Sequence, residues 1–199
     1  MPIEIPTGLP SELVPLSWLV GVWEGTGVVD YAIGDDRVGT EFGQRVTFAH
    51  DGGAVLSYRS EVWTLGEGSA PLSSEMGYWR LARPRDDSDA GPGLLPPTAE
   101  TELTTAESVE ALRNDDGAFD IEVSLVHPQG VAELYLGQVN GPRIDLATDA
   151  VLRSEGAKEY TAATRLYGLV DGHLLWAWDM AALGQELKNH ASARLAKSA

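Results

Sequence analysis

The chain has no cysteine. That excludes disulfides, thiolate metal sites, iron–sulfur clusters and cysteine nucleophiles, and makes a reducing compartment, the cytoplasm, the expected location. Positive charge is scarce. Fourteen Lys and Arg stand against 30 Asp and Glu, for a formal charge of −16, which argues against nucleic acid or an anionic membrane as a partner. No apolar run approaches the ~20 residues a membrane span needs. The N-terminal Met1-Pro-Ile-Glu-Ile-Pro lacks the basic-then-apolar layout of a secretory signal. No G-x-x-x-x-G-K phosphate loop, Ser/His/Asp set or paired-carboxylate signature is recognisable, and no repeat of fixed period runs through the chain.

What is present describes a globular protein. With 199 residues, 43% of them hydrophobic and six of them Trp, a single domain over 1–199 has enough chain for a full core or a barrel enclosing a cavity. Pro10 to Leu19 reads as a short helical lead-in, with Ser11 as cap and Leu13, Leu16 and Leu19 on one side. Gly21-Val-Trp23-Glu-Gly25-Thr-Gly27 follows. Glycine at alternate strand positions strips one face of side chains, so that other backbone, or the closing of a barrel, can approach closely while Trp23 fills space on the same face. Gln44–Phe48 and Ala54–Thr64 form a hairpin about His50-Asp-Gly-Gly53, and Met76–Arg80 is the core of another strand.

The segment from about 82 to 118 changes character. Its Pro-, Gly- and Asp-rich first half cannot hold a sheet ladder, and Thr105–Arg113 adds a helical turn or two, so it reads as a partly mobile surface insertion. Phe119, Ile121, Val123, Leu125 and His127 then share one face of an alternating strand, with His127 either hydrogen-bonded at a rim or lining a cavity. Hairpins turning at Asn140-Gly141 and Asp171-Gly172 follow. His50 and His173 fall at turns, where solvent is the expected neighbour. The last stretch is a strand with Trp176, Trp178 and Met180 on one face, a turn near Gly184, and a closing strand carrying His190. About ten short strands without crossover helices predict an all-β fold: an antiparallel up-and-down β-barrel with a short N-terminal helix.

Four pieces in this order, Gly21-Val-Trp23-Glu-Gly25-Thr-Gly27, Glu75-Met-Gly77-Tyr78-Trp-Arg80, Ala157-Lys158-Glu159 and Met180-Ala-Ala-Leu-Gly184-Gln185-Glu-Leu-Lys-Asn-His190, resemble the nitrobindins. These are haem proteins on a ten-stranded barrel like that of lipocalins and fatty-acid-binding proteins. The resemblance covers the chain outside its first residues and the 82–118 segment. It implies a ferric haem b in the barrel mouth, with His190 as iron ligand and catalytic centre. It further implies Lys158 meeting a haem propionate, Met180 lining the pocket and His127 facing the same cavity. The implied activity is nitric oxide binding and isomerisation of peroxynitrite to nitrate, with small molecules as partners and a homodimer left open. Two positions depart from the family: Tyr31-Ala32-Ile33 lacks a threonine found near the haem, and Ser73 stands where relatives often have histidine. These departures favour the alternative, a haem-free barrel carrying a small apolar, lipid-like ligand.

Overall fold

The computed structural model describes residues 8–33, 36–182, 184 and 186–198. Ten strands follow in chain order: β1 (Gly21–Ile33), β2 (Asp36–Ala49), β3 (Leu56–Thr64), β4 (Pro71–Leu81), β5 (Phe119–His127), β6 (Val131–Asn140), β7 (Arg143–Arg153), β8 (Tyr160–Val170), β9 (His173–Ala182) and β10 (Lys188–Lys197). Each pairs antiparallel with its sequence neighbour, and β1 pairs with β10 to close the ring. Closure removes the two free edges an open antiparallel sheet would have, although the β7–β8 ladder pairs only Arg143–Ala147 with Thr164–Gly168 and stops short of the end of β7.

The closing seam explains the alternating glycines. Gly25 lies opposite Leu195 and Gly27 opposite Ala193. A Cβ on Gly25 would collide with the Arg194 carbonyl, and one on Gly27 with the Phe42 ring and the Ser192 carbonyl. Trp23, on the same face, is 2% exposed and donates its indole N–H to the Leu19 carbonyl at 2.7 Å. The seam is therefore tight at two glycines and filled by one tryptophan.

Strand alternation decides which side chains point inward. In β5, Phe119, Ile121, Val123 and Leu125 are buried, as their period-two spacing predicts. The Asp171-Gly172 turn has φ of 50° and 74° at its two central residues, the primed geometry that matches strand twist. The other predicted turn is displaced by one residue. Asn140 pairs with Arg143, so Gly141 and Pro142 are the central residues, with φ of 54° at Gly141. Pro142 has no N–H to give a ladder, which pushes it out of β7 and into the turn.

The two ends of the barrel differ. One is plugged by a 3-10 helix, Ser11–Leu19, whose Leu13, Leu16 and Leu19 are fully buried. Pro10 is its N-cap, and Ser11 makes no capping bond; its hydroxyl donates instead to the Leu103 carbonyl. The 82–118 segment folds over this end. Its helix α1 (Ala106–Glu110) packs against the 3-10 helix, with Thr105 as cap and Val109 buried in the core. Arg83 locks the cover: it bonds Glu12 at 2.8 Å and Asp89 at 2.8 and 2.9 Å. The carboxylates of Glu12 and Asp89 raise the Arg83 pKa. The insertion is thus an anchored lid on the closed end, held by a charge cluster that sequence alternation does not reveal. The β3–β4, β5–β6 and β7–β8 connections lie at the opposite end, where the barrel is open.

Candidate functional site

The open half holds a cavity of about 410 Å³. Phe42, Val62, Trp176 and Met180 give it apolar walls, Gln44, Ser60 and Arg165 contribute polar groups, and Tyr31 and His190 line it from β1 and β10. Its size and makeup are those of a small-molecule site. Trp176, Trp178 and Met180 all line it, as their shared face predicts.

His190 enters from the third position of β10, beside an irregularity where the β9–β10 register shifts between Asn189 and Ala191. Such irregularities re-aim a side chain. Its ring lies between Tyr31, with centroids 5.0 Å apart, and Trp178, edge-on at 5.3 Å. Neither ring nitrogen has a hydrogen-bond partner among the described residues. Burial lowers the His190 pKa, so the imidazole is held neutral with a lone pair available.

His127 also lines the cavity but is committed elsewhere. Its Nε2 sits 2.6 Å from Glu133 Oε2 and 3.7 Å from Glu75 Oε2. Glu133 also accepts from the Tyr135 hydroxyl at 2.6 Å and from the Tyr160 hydroxyl. Arg165 is buried beneath the cavity and forms a bidentate pair with Glu75 at 2.7 and 2.8 Å, with Glu133 at 3.5 Å. Tyr58 donates to Glu75 at 2.6 Å, and the Arg165 Nε donates to the Tyr135 hydroxyl at 3.0 Å. Burial alone would raise the Glu75 pKa, but the Arg165 charge and hydrogen bonds outweigh it and hold the carboxyl at about 2. Glu133 is lowered too, burial being overcome by His127, Arg165 and the two tyrosines. Both carboxylates are therefore ionised acceptors around one guanidinium.

This network was not visible in the sequence. The signal that could have pointed to it is a charged residue two places before an inward tyrosine, as in Glu133-x-Tyr135 and Arg165-x-Tyr167. Glu75, His127 and Glu133 offer ligand atoms within 4.8 Å of one another, a spacing a metal ion could use. Arg165 already supplies the cation there, which leaves the cluster better described as a closed ion network.

The other expected residues divide. Lys158 is exposed in the β7–β8 connection, at the open rim but outside the cavity wall; its carbonyl accepts from Arg153 at 3.1 Å. Ser73 and Tyr31 line the cavity. The side chains of Ala32, Ile33 and Gln185 lie outside the described residues. His50 and His173 stand at the turns, away from the cavity.

Fold and site together define a closed ten-stranded barrel whose open end presents an imidazole unengaged among the described residues, with apolar walls and a buried ionic network beside it. Residues 12–197 match the family described as THAP4-like, heme-binding beta-barrel domain, and the chain belongs to that family. It is 68% identical to a protein of Leifsonia xyli subsp. xyli named peroxynitrite isomerase, over 98% of this chain and 99% of that one. A Clavibacter michiganensis subsp. michiganensis protein of the same name is 67% identical, over 97% of this chain and 98% of its own length. The crystal structure of Rv2717c from M. tuberculosis aligns with a TM-score of 0.67 at 27% identity, covering 98% of this chain and all of that one.

The cavity fits a haem. It offers a neutral nitrogen donor without a competing partner among the described residues, aromatic and thioether walls for a macrocycle, and an open rim. His127 has its Nε2 engaged by Glu133, which leaves Nδ1 as its remaining ring nitrogen. Trp178 Nε1 is buried in the wall without an acceptor among the described residues.

Proposed function

We propose that the protein is a haem-dependent peroxynitrite isomerase, with ferric haem b held by His190. The observation that carries this reading is the His190 ring: neutral by burial, steadied between Tyr31 and Trp178, and unpartnered at both nitrogens among the described residues. The relatives named for this activity, at 66–68% identity over nearly their full length, support it. When bound, ferric haem supplies a Lewis acid toward the O–O-bonded substrate, which rearranges to its isomer, nitrate.

The chain's own residues do the rest. His190 binds and orients. Phe42, Val62, Trp176 and Met180 exclude water and donor side chains, forming a cage that keeps reacting fragments together. Glu133 restrains His127 through its Nε2, on the wall opposite His190. Lys158, at the open rim, is the propionate partner in this reading. Nitric oxide binds in the same space. A cysteine-free chain suits the cytoplasm.

Reconstitution with hemin tests the reading. The loaded protein should convert peroxynitrite to nitrate faster than free hemin or the haem-free barrel, and His190→Ala should lose this acceleration. A nitrate yield equal to that of the haem-free barrel would contradict it. The apolar-carrier reading draws on the same walls; displacement of a fluorescent fatty acid from the haem-free protein, with no hemin uptake, would favour it.

A further inference from the structure

Around the closed ring, β5 and β10 stand five strands apart in either direction. They are opposite walls. His127 is the last residue of β5 and His190 the third of β10, both at the open end, and both line the cavity. The two imidazoles therefore sit on opposite walls of the mouth, one without a partner among the described residues and one anchored.

The anchoring fixes which nitrogen of His127 is available. Glu133 is an ionised carboxylate and can only accept, so the His127 Nε2 at 2.6 Å carries the proton of that bond. Nδ1 has no partner among the described residues, and in the tautomer with its single ring proton on Nε2 it carries the lone pair. The charged and titratable groups around the ring are Glu133 and Tyr135 on β6, Glu75 on β4, and Tyr160 and Arg165 on β8. Arg165 is neutralised by Glu75 and Glu133. An entering anion thus meets no unpaired cation among the described lining residues, inside a chain of charge −16. An entering acid meets a bare nitrogen backed by two carboxylates.

We propose that His127 Nδ1 is the proton acceptor for the substrate, which enters as neutral peroxynitrous acid rather than as its anion. This rests on the isomerase reading above. The O–H bond breaks with its electron pair left on oxygen, and the Nδ1 lone pair takes the proton. Glu133 and Glu75 stabilise the resulting imidazolium. The anion rearranges to nitrate with no net change in electrons, and Nδ1 returns its proton to water as the product leaves.

The test uses hemin-loaded ferric protein and two probes that differ in having a proton to give. Hydrogen cyanide, an uncharged acid at neutral pH, must lose its proton to bind; nitric oxide has none. In His127→Leu and in the more nearly isosteric His127→Gln, stopped-flow association of cyanide should slow by about 10²-fold while nitric oxide association is unchanged. Cyanide association at the wild-type rate in both variants overturns the proposal. So does equal slowing of the two ligands in both variants, which marks lost structure rather than a lost acceptor. Failure to take up hemin at all counts against the isomerase reading instead, so the two failures are distinguishable.

Discussion

Arg165 is the residue on which the open half of the barrel is built. The residue is 5% exposed, and its guanidinium grips Glu75 with two hydrogen bonds and lies 4.6 Å over the Trp178 ring, which in turn borders His190. Removing one partner from such a pair strands the other charge. Arg165→Met should cost about 3–5 kcal/mol in urea denaturation, and a loss below 1 kcal/mol would show that the pair is dispensable. The same pair makes a pH prediction. The Glu75 pKa is depressed in the folded state from 4.5 to about 2, so its contribution to stability is complete above about pH 4.5 and is lost as the pH falls toward 2. Denaturation midpoints measured across that window should fall for the wild type and change less for Glu75→Gln. Neither residue announces itself in the sequence: they lie 90 positions apart, and charge inside a barrel contradicts the rule that alternation marks apolar faces as inward. His190 and His127 were legible as candidates. Their difference was not, because it is set by Glu133 on β6, a partner that only the register of β5 with β6 brings into reach.

Among the elements, the β1–β10 seam carries the strictest packing requirement. Gly25 meets backbone, which cannot yield, so Gly25→Ala should destabilise the barrel by about 1–3 kcal/mol or more. Gly39, in the neighbouring strand β2 with open space around its Cβ position, is the control: Gly39→Ala should be nearly silent. Equal melting temperatures for both variants would refute the close-approach account. This seam was legible because glycine at period two has a short list of physical causes. The closed end was less so. Pro, Gly and Asp in 82–118 correctly rule out strands, but Arg83 pairing with Glu12 is a contact across 71 residues that composition cannot show. Arg83→Met should loosen this cover, speeding protease cleavage within 84–104 while leaving hemin uptake at the far end intact; unchanged cleavage would mean Val109 and Leu103 hold the segment without it.

At the scale of the whole molecule, the barrel divides its labour along its axis. One half is a packed core sealed by the 3-10 helix and α1, and the other is a cup whose floor is ionic and whose wall carries a neutral imidazole. The ten-strand count and antiparallel order were legible, since turns and alternation recur at short spacing through most of the chain. That the chain's own side chains leave a cavity in the open half was not, because Trp176, Trp178 and Met180 would read the same in a filled core. In this reading His190 would hold the iron alone, with His127 tethered through its Nε2 to Glu133 on the opposite wall. Electron paramagnetic resonance of the hemin-loaded ferric protein tests this most directly. The account predicts an axial high-spin signal that is lost or reshaped in His190→Ala and retained in His127→Leu; a low-spin, two-histidine signal in the wild type, or one indifferent to His190→Ala, would contradict it.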